Sequence, residues 1–276
     1  MRLLFRTLSW LPLWLAHAMG WLLGWLVFLV SPTYRRRFLE NLAQAGVPWS
    51  HGRAAVGQAG MLATEIPRLW FGRPVAIGWT GDTLVDAAVA QGRGVLFLTP
   101  HLGCFEVTAQ GYAFRFGERQ PITVLFRPSR KAALREVVVE ARRRPHLHTA
   151  PTTLPGVKQL FRALRQGQSV GLLPDQVPPR GLGVWAPFFG REAYTMTLSA
   201  RLAQQTGATV LLAWGERLPW GRGYCVHIQA LPEPLASDPT QAARQINVAM
   251  QSLILARPEQ YLWGYARYKA PREALS

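Results

Sequence analysis

The chain has 276 residues, with 31 Lys and Arg against 15 Asp and Glu, a formal net charge of +16. Apolar residues make up 49% and charged residues only 17%, which excludes a disordered polyelectrolyte and suits one α/β body with an N-terminal appendage. The cationic excess calls for an anionic partner, and nucleic acid, an anionic membrane surface and an acidic carrier protein all satisfy it.

Between Arg6 and Arg35 there is no charged residue, and the stretch LSWLPLWLAHAMGWLLGWLVFLV, residues 8–30, is long enough to cross about 30 Å of hydrocarbon. It reads as a membrane-anchoring helix, with residues 1–34 as the anchor and 35–276 as the α/β body. A cleaved signal peptide competes, because Ala16-His17-Ala18 imitates a cleavage site, but the apolar run continues through Trp21, Trp25 and Val30. Pro12, Gly20 and Gly24 leave a kinked or monotopic insertion open. Three arginines, Arg35 to Arg37, follow the segment against two before it, which votes for a cytoplasmic body. Eleven Trp fit a protein at a membrane interface.

A helical stretch is expected over 32–70. Beyond it, apolar runs alternate with helix-like segments: GVLFLT (94–99), PITVLF (121–126), QSVGLLP (168–174), ATVLLAW (208–214) and YCVHIQA (224–230). Continuous apolar strands suit a sheet covered on both faces. REVVVEARRR, GVKQLFRALRQG and TMTLSARLAQQTG have helical spacing, the last two stopped by Gly167 and Gly207, and a further helix is expected over 239–256. The fold class is therefore α/β: a central, mostly parallel sheet flanked by helices, with an N-terminal anchoring helix.

The first strand ends in TPHLGCFEV, which puts His101 at its carboxyl end, where open α/β sheets bind ligands. On an ideal helix His101 and Glu106 would point roughly 140° apart, so they can meet only across a turn, which Gly103 makes easy. A histidine base with a carboxylate on its other ring nitrogen would activate a hydroxyl or a water. The competing reading is a buried histidine satisfied by backbone, with Glu106 on a solvated helix face. Cys104 offers a rival nucleophile, and as readily a small buried side chain. His146 and His148 form the one close histidine pair without a neighbouring acid or cysteine, so no metal site is expected, and Cys104 and Cys225 cannot build a disulfide framework.

PHLGCFE, VLFRPSR, GLLPDQVPPRGLGVWAPFFGREAYTMTLSARLAQQTGA and PEQYLWGYARYK, in that order, resemble the bacterial lipid A biosynthesis (late or secondary) acyltransferases. These lie within the lysophospholipid acyltransferase superfamily with its H-x-x-x-x-D/E signature. The resemblance implies an inner-membrane enzyme, its catalytic domain on the cytoplasmic face. Such an enzyme moves a fatty acyl chain from an acyl-carrier-protein or coenzyme A thioester to a hydroxyl of a lipid A precursor, without a cofactor. It implies His101 as general base and Glu106 as its orienting carboxylate. Arg127 would hold an anionic phosphate, and Asp175 and Gln176 would bind substrate or position the site. No acyl-enzyme is implied, which leaves Cys104 as packing. The cations of 127–144 suit lipid phosphates, a carrier protein or a solvated helix face. GLGVWAPFFG reads as a loop that either packs in the core or lines an acyl channel. The oxyanion of the tetrahedral intermediate would fall to backbone N–H groups near the strand end.

Acyl transfer to a lysophospholipid or aminolipid, and hydrolysis of a thioester, are the alternatives. A membrane-tethered nucleic-acid binder ranks last, because the cations are spread among apolar helices with no nucleic-acid module.

Overall fold

A computed structural model of the chain describes residues 2–126, 140–141 and 144–273. The N-terminal region is helical: α1 (Arg2–Leu8), α2 (Leu13–Val30), α3 (Pro32–Gln44), a single turn α4 (Trp49–Gly52) and α5 (Ala54–Phe71). Pro12 divides α1 from α2, since an interior proline removes a backbone donor. The helical stretch expected over 32–70 is broken at Gly46, where φ is +66°, and at Pro48.

The central sheet contains β1 (Ile77–Thr80), β2 (Val95–Leu98), β3 (Ile122–Phe126), β4 (Leu147–Pro151), β5 (Ser169–Leu172), β8 (Thr209–Arg217) and β9 (Tyr224–Ala230), in the order β1-β9-β8-β2-β5-β3-β4. Only β8 and β9 pair antiparallel; the other five pairings are parallel. The five expected strands are present. The other two strands, β1 (IGWT) and β4 (LHTAP), carry too few apolar residues to stand out from loops. A separate antiparallel hairpin joins β6 (Gly183–Phe188) to β7 (Arg191–Met196). The segment expected as a loop at 181–190 is therefore largely strand, with Ala186 and Phe188 buried.

Strand β2 is buried on both faces, and its side chains alternate between two cores. Leu96 and Leu98 pack with Leu160 and Leu164 of α8 (Leu154–Arg165), Leu202 of α9 (Leu198–Thr206) and Met250 of α10 (Pro239–Ala256). Val95 and Phe97 pack with Val85 of α6 (Thr83–Ala90) and Val107 of α7 (Phe105–Arg115). The ends follow local chemistry. Thr153 caps α8 by accepting from Gly156 N at 3.4 Å, Asp238 caps α10 by accepting from Gln241 N at 2.7 Å, and Gly207 closes α9 at φ +69°. Of the basic helix-like run at 135–144, only residues 140, 141 and 144 lie within the described residues.

The apolar α2 is docked rather than detached. Leu13, Ala16, His17, Gly20, Gly24 and Phe28 form one buried stripe at helical spacing. The stripe faces α5 at such close range that a Cβ on Gly60 would stand 2.0 Å from Gly20 O and 2.5 Å from Gly24 N. The opposite face, including Leu22, Leu26, Leu29 and Val30, is exposed. Arg35 donates to the terminal carbonyls of Phe28 (3.2 Å) and Leu29 (2.9 Å), satisfying orphan acceptors of α2.

Candidate active site

Adjacent parallel strands β2 and β5 end side by side, and the chain leaves each in a tight turn: Thr99-Pro100-His101 after β2, Pro174-Asp175-Gln176 after β5. This adjacency brings His101 and Asp175 together across 74 residues of sequence. His101 Nδ1 donates to Asp175 Oδ1 at 2.7 Å, and its backbone N–H donates to Oδ2 at 2.9 Å. Tyr261 Oη donates to Oδ2 at 3.3 Å. Burial pushes the Asp175 carboxyl up, but the His101 charge and these hydrogen bonds outweigh it and hold the group below its ordinary range. An ionised Asp175 only accepts, so the ring proton sits on Nδ1 and Nε2 presents a lone pair. Gln176 Nε2 donates to that lone pair at 2.9 Å. The ring is also fixed edge-on to Phe105, with centroids 5.0 Å apart, and its side chain is 15% exposed.

The carboxylate that orients His101 is thus Asp175, where the sequence pointed to Glu106. Glu106 begins α7 and its Oε2 accepts from Trp70 Nε1 at 3.3 Å, in the field of Arg144. Both nitrogens of the imidazole are taken by other partners, Nδ1 by Asp175 and Nε2 by Gln176. Arg127 lies outside the described residues.

Gly103 has φ +60°, and a Cβ there would stand 2.0 Å from Gly215 O, so turn and close approach both demand glycine. Three N–H groups that follow β2 are committed within the protein: Leu102 N to Pro100 O (2.7 Å), Gly103 N to Gln260 O (3.0 Å), Cys104 N to Gly215 O (2.8 Å). Those three amides are therefore not free for an oxyanion. The nearest described side-chain donor to Nε2 is the Gln176 carboxamide. Cys104 is fully buried, and burial raises its thiol well above the ordinary value, so it is neither thiolate nor accessible.

Residues that patterning did not single out complete the surroundings. Leu262 N donates to His101 O at 3.2 Å, and Leu102 bridges to Tyr261, so the C-terminal segment braces the turn that carries His101. Tyr261 also lines a small surface cleft with Phe188, Phe189, Trp263 and Tyr268. Buried Arg267 donates to Tyr194 O at 2.8 Å and Thr195 Oγ1 at 2.7 Å, tying the same segment to the β6–β7 hairpin. In the sequence, the aromatic-basic run QYLWGYARYK was the available signal.

The chain is 28% identical over 222 residues to the lipid A biosynthesis lauroyltransferase of Escherichia coli K12, covering 78% of this chain and 70% of the relative. It is 29% identical over 215 residues to the lipid A biosynthesis palmitoleoyltransferase of the same organism, covering 76% and 68%. A lipid A biosynthesis acyltransferase of Haemophilus influenzae matches at 24% over 181 residues, 65% of this chain and 55% of the relative. The family model described as bacterial lipid A biosynthesis acyltransferase matches residues 3–270, and the chain belongs to that family.

Proposed function

We propose that this acyltransferase moves a fatty acyl chain from an acyl-carrier-protein or coenzyme A thioester to a hydroxyl of a lipid A precursor, at the cytoplasmic face of the inner membrane. His101 acts as general base. The observation that carries the reading is the Asp175–His101 pair, which leaves Nε2 as the proton acceptor at the mouth of the site.

The acceptor hydroxyl displaces the Gln176 amide from Nε2 and gives up its proton as its oxygen attacks the thioester carbonyl. Asp175 stabilises the resulting imidazolium. The tetrahedral intermediate collapses with loss of the thiolate, which takes the proton from Nε2. The displaced Gln176 amide then donates to the developing oxyanion, a role supported by its position beside Nε2. Glu106, bonded to Trp70, shapes the wall of the site, and Arg127 is assigned to an acceptor phosphate from the resemblance alone. The membrane supplies the lipid, and the exposed apolar face of α2 is the natural seat on it.

The test is transfer from labelled acyl-carrier protein to a lipid A precursor by the purified protein. His101→Ala and Asp175→Asn should each lower kcat by about 10²–10⁴-fold, Gln176→Ala by about 10–10²-fold, and Glu106→Gln by less than about tenfold. Transfer that survives His101→Ala, or release of free fatty acid alone, would sink the reading. A lysophospholipid accepted in preference to the precursor would move the acceptor.

A further inference from the structure

Beneath the catalytic turn lies a fully buried polar cluster that the chemistry above does not use. Arg217, at the end of β8, is 3% exposed, and Glu65, in the middle of α5, is 0% exposed. Arg217 Nε donates to Glu65 Oε2 and Nη2 to Oε1, both at 2.7 Å, a two-pronged pair. Two of the three remaining donors are also engaged: one on Nη1 with Gln58 Oε1 at 2.6 Å, and the second on Nη2 with the Gly103 carbonyl at 3.1 Å. Tyr224 Oη donates to Glu65 Oε2 at 2.9 Å, and His17 Nε2, from α2, meets the same oxygen at 3.0 Å. Gln260 ties the cluster to the turn a second time. Its Oε1 accepts from Arg217 N at 2.9 Å and its Nε2 donates to Arg217 O at 3.1 Å, while its backbone carbonyl accepts from Gly103 N.

A buried ion pair is a poor device for stability, because desolvation consumes most of its Coulombic gain, and a hydrophobic replacement would often serve as well. What this pair holds is specific. Both backbone hydrogen-bonding groups of Gly103, two residues after His101, are gripped by the cluster, one by the guanidinium and one through Gln260. We propose that Arg217 and Glu65 are positioning residues for the catalytic turn. His17 extends this brace to α2, so that the seating of the apolar N-terminal helix governs turnover. The proposal rests on His101 as the base, and it adds residues that touch neither substrate nor the reacting atoms.

Lysine at position 217 keeps the charge beside Glu65 but has no fork to reach Gln58 and Gly103 O together. The experiment compares Arg217→Lys, His17→Leu and His17→Gln with Leu160→Ala, which loosens the core under α8 away from the turn. Steady-state acyl transfer, melting temperature and hydrogen–deuterium exchange are measured on the full-length protein. Arg217→Lys should lower kcat by about tenfold to a hundredfold, as a displacement of roughly 1 Å does, with KM for donor and acceptor unchanged. Amide exchange should accelerate in peptides spanning residues 99–107. His17→Leu should lower kcat by about threefold to tenfold, and His17→Gln, which can still donate to Glu65, should restore it.

Unchanged exchange over residues 99–107 overturns the proposal. So does a kcat loss in Leu160→Ala equal to that in Arg217→Lys at the same melting temperature. If Arg217→Lys does not fold, the two His17 variants decide by the same readouts. Exchange reports on the brace whether or not His101 is the base, whereas His101→Ala tests the base without disturbing the brace.

Discussion

Glu65 shows how much one side chain's environment can demand. Burial raises its carboxyl, but the Arg217 charge, its hydrogen bonds and the His17 contact outweigh burial and hold it at about 2, against an ordinary 4.5. A folded pKa below the unfolded one contributes stability that is complete above about pH 4.5 and is lost as pH falls toward 2. Urea midpoints of the wild type should therefore fall through that window. Glu65→Gln should lose about 3–5 kcal/mol at neutral pH, because Arg217 is left buried without its counter-charge, and should show a shallower acid slope. An equal slope in both proteins would mean that Glu65 is not the titrating group. Cys104→Ala, by contrast, removes a protonated and inaccessible thiol, so acyl transfer per folded molecule should persist while stability drops by about 1 kcal/mol. Loss of transfer in that variant would restore the cysteine-nucleophile reading. The sequence was informative at this scale about His101, because an apolar strand ending in a histidine places that residue at the binding edge. It was uninformative about Asp175 as the partner, because periodicity finds strands but not which strands are neighbours, and the β2–β5 adjacency spans 74 residues. Glu65 and Arg217 did leave a trace, a lone acid in an apolar helix and a cation closing an apolar strand, that only a pairing could interpret.

The element that carries most consequence is α2, and its contact with α5 depends on small residues. A Cβ on Gly60 would collide with the backbone of Gly20 and Gly24, neither of which can retreat as a side chain can. Gly60→Ala should therefore force the helices apart, costing roughly 1–3 kcal/mol and lowering the melting temperature by about 2–4 °C per kcal/mol for a chain of this length. The same displacement pulls His17 from Glu65, so kcat should fall along with stability. A variant that loses stability at full kcat would separate helix seating from the catalytic turn. Apolar patterning located α2, the five more apolar strands of the central sheet and the helix over 239–256. It could not foresee docking, because an all-apolar helix reads the same whether lipid or protein covers it; the glycines at positions 20, 24, 57 and 60 mark the seam only once two helices are set side by side. The hairpin of β6 and β7 was obscured for a different reason: its glycines and prolines are loop-like locally, and its strand character comes from pairing of Gly183–Phe188 with Arg191–Met196.

At the scale of the whole molecule, the apolar surface and the charge belong together. Leu22, Leu26, Leu29 and Val30 of α2 are 58–70% exposed, and Leu3 of α1 is 77% exposed. Trp220, at the loop between β8 and β9, is 89% exposed with φ +61°, and the neighbouring Gly221 packs against Trp14 of α2. A water-facing protein seldom leaves so many large side chains uncovered on one contiguous region, and tryptophans at its border match the headgroup layer. Because α2 lies along α5, this stripe is offered by the side of the body, and under the proposed membrane seat the net charge of +16 would draw the chain to an anionic leaflet before the stripe is buried. Two contributions follow, with different salt responses. Co-flotation with vesicles of mixed zwitterionic and anionic lipid should survive about 0.5 M salt in the wild type, where apolar burial dominates and charges are screened. The double variant Leu22→Ser, Leu26→Ser should bind at low salt and release at high salt, since each leucine forfeits about 1.5–3 kcal/mol of burial. Trp220→Ala should weaken binding less. Wild-type binding that is lost in high salt would make the attachment electrostatic and leave the exposed stripe without a role at the lipid surface.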